Sequence, residues 1–262
     1  MGSTCHTVPV GPDHIISRLK AIRDARMRVL ALVEAWSQGD PGTWVEALAA
    51  ILARSHQVDD GDALLALECL THAAAEPTLR YEVRQQLYIA ATERGLTAIA
   101  RLFLSASPAT VAEAQLKKQL APERALKPKG RPLTLGERKS LARTHKREDL
   151  LLLIRDPHPA VVAIFLDNPH VTEADVVRIA AMRPAVPDSL AKIAAHPKWS
   201  VRHPVKRALV MNPATPLADA IRITTTLRIG ELAELAADPA LREALRAHAA
   251  DLHAAAQKRP QA

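Results

Sequence analysis

Apolar residues recur every three or four positions along nearly the whole chain, the spacing that gathers them on one face of a helix. Ile15, Ile16, Leu19, Ile22, Val29, Leu32 and Val33 make one stripe between Asp13 and Ser37, closed by Gly39-Asp-Pro-Gly42. Thr43-Trp-Val-Glu46 has the spacing of a capping box and predicts a helix running to about His56. The same period predicts helices at about 61–75, 78–94, 96–105 and 109–120, with Asp59-Asp60-Gly61, Glu76-Pro77, Gly95 and Ser107-Pro108 as breaks. No segment alternates convincingly at period two, so an all-α fold is expected.

After Arg147 the chain repeats itself. Leu190-Ala-Lys-Ile-Ala-Ala-His-Pro197 returns 42 residues later as Leu232-Ala-Glu-Leu-Ala-Ala-Asp-Pro239, and Leu150 to Pro157 is a looser copy 40 residues before the first. Asn168-Pro-His-Val-Thr-Glu-Ala-Asp-Val-Val-Arg-Ile179 matches Asn212-Pro-Ala-Thr-Pro-Leu-Ala-Asp-Ala-Ile-Arg-Ile223 at an offset of 44. The punctuation has a physical cause. The residue before Pro is pushed out of the helical region, and Pro fits the first turn of the next helix, where its missing N–H costs nothing. Thr172 with Asp175, and Thr215 with Pro216, suit helix starts. Short helices with apolar stripes bury them by stacking on neighbours. Arg80-Tyr-Glu-Val-Arg-Gln-Gln-Leu87 faintly echoes Arg202-His-Pro-Val-Lys-Arg-Ala-Leu209, so one continuous array and two helical subdomains stand as equal readings.

Asp156-Pro157, Asn168-Pro169, His196-Pro197, Asn212-Pro213 and Asp238-Pro239, with the Leu/Ile/Val/Ala stripes between them, resemble HEAT and armadillo repeats, and most of all the leucine-rich repeat variant family. The resemblance covers about residues 148–240 and implies a right-handed α-solenoid of short stacked helices that binds a protein or a nucleic acid. Some members carry a cysteine-held iron–sulfur centre; two isolated cysteines, Cys5 and Cys69, depart from that pattern, and no cofactor is inferred.

Composition agrees with helices and adds a charge pattern. Tryptophan, tyrosine and phenylalanine make up 3% of the 262 residues, so the core rests on Ala, Leu, Val and Ile. Lys117 to Arg147 holds eleven cations against Glu123 and Glu137, a local balance of +9 in a chain of net +7. Its Pro-rich middle, 121–133, reads as a linker between a helical region at 13–120 and a repeat region at 134–253, with loose ends at 1–12 and 254–262. Thr134-Leu-Gly-Glu137 reads as a capping box opening a basic helix at about 135–144. No apolar run is long enough for a membrane span and the N-terminus lacks a secretory pattern, so a cytoplasmic setting is expected.

No motif for catalysis stands out. The eleven histidines are scattered, Cys69-Leu-Thr-His72 lacks a second ligand pair, and there is no phosphate-cradling glycine loop or nucleophile elbow. The expectation is a non-enzyme without metal or cofactor, Cys69 being a core residue. Candidate contacts are Lys127, Lys129, Arg131, Lys139 and Arg143 in the basic stretch. Lys198, Trp199, Arg202, Lys206 and Arg207 make a second patch, with Trp199 either its anchor or an inter-repeat core residue, and Arg178 and Arg222 form a two-rung ladder or pair with Asp175 and Asp219. Such a surface fits an acidic protein partner, with a nucleic-acid backbone as the alternative. A HEAT-like DNA glycosylase is a remote third, disfavoured by the shortage of aromatics.

Overall fold

A computed structural model describes residues 11–56, 60–104 and 132–257, and among these the chain forms fifteen α-helices and no strand. In chain order they are α1 (Pro12–Ala21), α2 (Ala25–Gln38), α3 (Pro41–Ser55), α4 (Gly61–Ala74), α5 (Tyr81–Glu93) and α6 (Thr97–Leu102). Then follow α7 (Leu135–Leu141), α8 (Arg147–Leu152), α9 (Pro159–Asp167), α10 (Glu173–Ala181), α11 (Pro187–Ala195), α12 (His203–Met211), α13 (Leu217–Thr225), α14 (Ile229–Ala237) and α15 (Glu243–Gln257). The helix expected at 109–120, residues 121–131 of the linker expected at 121–133, and residues 1–10 and 258–262 of the loose ends expected at 1–12 and 254–262 lie outside the described residues. The chain divides into two compact units, one of residues up to 104 together with 224 onward, the other of residues 132–223. The dividing line thus falls inside α13 rather than after the last repeat.

In the first unit, α3 packs on α4 and α5, α4 also meets α1 and α2, and α15 packs on α14 and α6. The stripe expected to be one helix from Asp13 to Ser37 is two. Asp24 accepts the Met27 N–H at 2.8 Å to start α2, and the Arg28 Nε donates to the Leu19 and Ile22 carbonyls, closing α1. The capping box expected at Thr43 is displaced by a better one-residue cap. Asp40 accepts the Thr43 N–H at 2.7 Å and its hydroxyl at 2.8 Å, Pro41 takes the first turn, and Glu46 instead pairs with Arg94. Leu48, Ile51, Leu67, Leu70, Leu87 and Ile99 are fully buried, and Cys69 lies among them as expected, burial pushing its thiol pKa up. Trp36 contacts Trp44 and Phe103 edge-to-face at 6.3 and 5.5 Å, so three of the chain's few aromatics sit in one cluster. Gly39 lies against the Trp44 indole so closely that a Cβ there would fall 2.3 Å from Nε1.

In the unit of residues 132–223, helices pack on their second neighbours: α9 on α7 and α11, and α10 on α12. Two rows result, one through α7, α9 and α11, the other through α10 and α12, with α8 tied to α10 by the Arg147–Asp175 ion pair. All five corners read from the sequence form the same turn. Asp156, Asn168, His196, Asn212 and Asp238 each accept, through a side-chain oxygen or Nδ1, the N–H two residues on, from His158, His170, Lys198, Ala214 and Ala240. Histidine can replace Asp or Asn here because its Nδ1 stands where their carbonyl or carboxylate oxygen would.

The two asparagines also reach back along their own rows. Asn168 donates through Nδ2 to the Ala142 and Thr144 carbonyls at 2.9 and 2.8 Å, and Asn212 to those of Ala180 and Met182 at 2.7 and 2.9 Å. Each side chain satisfies carbonyls left open at the end of a neighbouring helix. This ends α7 at Leu141, short of the expected 144. The Trp199 indole does the same for Leu166 at 2.8 Å, and Arg222 for Ala194 at 3.1 Å. Capping boxes form at Thr134–Glu137 and Thr172–Asp175, as their spacing predicts, whereas the buried Thr215 hydroxyl donates back to the Leu209 carbonyl.

Candidate functional site

The hydrogen bonds along each row fix which surface residues of the second unit stand together. Three corners join the α7–α9–α11 row to the α8–α10–α12 row: residues 142–147, 167–173 and 196–203. The first and second are linked by Asn168 and by the rings of His145 and His170, whose centroids are 6.3 Å apart. The second and third are linked by His196 Nε2 to Asp167 at 3.1 Å, by Trp199 to Leu166, and by Arg202 to Glu173 at 3.8 Å. The three corners form one continuous edge.

That edge is rich in cations. Arg143, Lys146, Lys198 and Arg202 are exposed on it, with His145 and His170 between them. Arg143, Lys146 and Lys198 have no carboxylate within ion-pair distance among the described residues; Arg143 donates to the Lys139 carbonyl, and the Lys198 ammonium lies 4.1 Å from the Trp199 ring centroid. Arg147 is half-exposed but engaged, both guanidinium NH groups lying on the Asp175 carboxylate. Asp175 is buried, and Arg147, with added help from Thr172, holds its pKa at about 2. The acids near the edge are Asp167, exposed and bonded to His196, Glu173 beside Arg202, and Glu148.

The residues expected to make contacts therefore separate. Lys139 is half-buried, Arg143, Arg178, Lys198, Arg202 and Arg207 are exposed, and Lys127, Lys129 and Arg131 lie outside the described residues. Three candidates are turned inward. Trp199 is 2% exposed, its indole N–H committed to Leu166 of α9, so its ring serves the packing inside the unit rather than the surface. Lys206 is 7% exposed, and Arg222, at 6%, pairs with Asp219 and the Ala194 carbonyl. The expected ladder of Arg178 and Arg222 is thereby broken: Arg178 stays at the surface because Arg147 already occupies the Asp175 carboxylate. Sequence reasoning passed over Lys146, His145 and His170; their signal was position, immediately beyond the ends of α7 and α9. It also missed Arg138, which is buried on Asp156 at 2.6 and 2.7 Å.

Elsewhere the chemistry is sparse. No group of three or more His, Cys, Asp and Glu suited to a metal occurs among the described residues. Thr225 and His248 share a hydrogen bond of 2.9 Å, but both are fully buried. An open hollow of about 440 Å³ lies between Asp40–Gly42 and Gln86–Arg94, where Asp40 is committed to Thr43 and Arg94 to Glu46. No helix among the described residues is long and apolar enough to cross a membrane. Searches against protein-family models, curated proteins and solved structures find no match for this chain.

Proposed function

We propose that this chain is a non-enzymatic helical-repeat protein of the HEAT, armadillo or leucine-rich-repeat-variant kind, its repeats stacked as a right-handed α-solenoid, and that it binds an acidic protein partner. The packing of helices on their second neighbours and the recurring Asx-Pro or His-Pro corner support the solenoid reading. The observation that carries the binding reading is the edge of corners at 142–147, 167–173 and 196–203, where Arg143, Lys146 and Lys198 have no acidic partner among the described residues. Cations on that edge alternate with Asp167, Glu173 and Glu148, a mixed field that suits complementary charges on a protein better than a uniform run of phosphates. The two aromatics of residues 132–223, Phe165 and Trp199, are buried, which leaves no stacking platform for unpaired bases there.

The deciding experiment compares labelled polyglutamate, a single-stranded oligonucleotide and a DNA duplex by fluorescence anisotropy at physiological salt. Polyglutamate is expected to bind, and the quadruple variant R143E/K146E/K198E/R202E to lose at least about tenfold in affinity. Tighter binding of either nucleic acid, with a steep salt slope removed by the same substitutions, would overturn the reading in favour of a phosphate-backbone binder.

A further inference from the structure

The cationic edge has a pitch as well as a sign. Helices of one row pack about 8–10 Å apart, so the first and third corners stand about 20 Å apart. Arg143 and Lys146 stand on the first corner and Lys198 and Arg202 on the third, while the second carries Asp167 and Glu173. An extended peptide advances about 3.3 Å per residue, so about six residues span the two cationic corners. Among the large exposed apolar side chains, the corners present only Val201, so the edge offers no apolar trough for an amphipathic helix.

We infer that the edge recognises an extended acidic peptide whose carboxylates recur at about every sixth residue, laid across the three corners so that one carboxylate meets Arg143 and Lys146 and another, two corners on, meets Lys198 and Arg202. The inference rests on the acidic-partner reading above and adds to it a backbone conformation and a spacing. Glu173, beside Arg202, and the exposed Asp167 flank the middle corner. They repel a peptide that carries acid at every position while leaving the outer contacts open, so spacing rather than total charge sets affinity.

Two fluorescein-labelled peptides of identical composition test this, one in which each glutamate is followed by five serines and one with the same glutamates gathered in a block. Anisotropy at low and at physiological salt is expected to show the spaced peptide binding at least about fivefold more tightly, because only it engages distant corners together. R143E/K146E and K198E/R202E are each expected to remove that advantage while helicity by circular dichroism stays unchanged. Neutralising Asp167 and Glu173, as D167N/E173Q, is expected to narrow the gap by strengthening the block peptide. Equal binding of the two peptides, with both abolished by charge reversal, would overturn the spacing while leaving the acidic-partner reading standing. Binding of neither peptide would overturn both.

Discussion

Asn212→Ala tests the account of how the repeats hold together. The side chain is 2% exposed and makes three hydrogen bonds, donating to the Ala180 and Met182 carbonyls at 2.7 and 2.9 Å and accepting the Ala214 N–H at 3.0 Å. Truncation strands two carbonyls at the end of α10 and one amide in the turn. At about 1 kcal/mol net per bond, with more where no water can replace the partner, the loss is about 3 kcal/mol. That is a large share of the roughly 5–15 kcal/mol that stabilises a domain. Asp238→Ala is the control: the same turn is made there by one bond, to the Ala240 N–H at 2.9 Å, on a half-buried side chain, and about 1 kcal/mol is expected. Asn212→Asp keeps the acceptor for Ala214 but turns a carboxylate oxygen toward two carbonyls, and is expected to cost at least as much as alanine at neutral pH. Urea unfolding followed by far-UV circular dichroism gives the energies, and segment-resolved hydrogen exchange is expected to place the Asn212 losses in residues 132–223 and the Asp238 loss in the other unit. An Asn212→Ala loss below about 1 kcal/mol, or no larger than that of Asp238→Ala, would refute the capping argument.

Four further substitutions test other parts of the fold. Asp175, its pKa lowered from 3.8 to about 2 chiefly by Arg147, contributes stability that is present above about pH 4 and lost as pH falls toward 2. The contribution is about 1.5–2 kcal/mol after allowing for the half-exposed guanidinium, and Asp175→Asn should flatten that limb of an acid titration; an unchanged limb would count against the pair. Trp199→Phe should cost about 1–2 kcal/mol by removing the 2.8 Å bond to Leu166 while leaving polyglutamate affinity unchanged, and a fall in affinity without a fall in stability would restore Trp199 as a surface anchor. Gly39→Ala should cost about 2–3 kcal/mol because its Cβ meets the packed Trp44 ring. Gly42→Ala meets the Arg94 guanidinium, which can swing aside, and the Asp40 carboxylate at 3.1 Å, and should cost less than Gly39→Ala, about 1 kcal/mol; thermal melts that reverse this order would contradict the packing described.

The corners were legible in the sequence because their chemistry is local: an acceptor before proline and an amide two residues on lie within one turn. The same asparagines' second task was not, since its acceptors lie 24 to 32 residues away and become neighbours only when the rows pack. The break at Asp24 was hidden by an apolar stripe that keeps its period across residues 22–24, although the aspartate that caps α2 was in plain view. The cations show most clearly what spacing cannot say. Arg178 and Arg222 occupy matching places in matching segments, each three residues after an aspartate. One is at the surface and the other inside, because a third arginine, Arg147, reaches Asp175 first. Partner choice among like charges is settled by packing between successive helices of a row, on which hydrophobic periodicity is silent.

The capping along the rows also has a direction along the chain. Asn168 caps Ala142 and Thr144, Trp199 caps Leu166, Asn212 caps Ala180 and Met182, and Arg222 caps Ala194, each donor lying 24 to 33 residues after its acceptor. One bond, from Arg183 to the Met211 carbonyl, runs the other way. On the ribosome a helix therefore leaves the exit tunnel with its terminal carbonyls facing water and is sealed when a segment made about a repeat later arrives. At about 5–20 residues per second, that interval is a few seconds. Until then, the carbonyls at the helix ends within the last 24 to 33 residues made stay open to water.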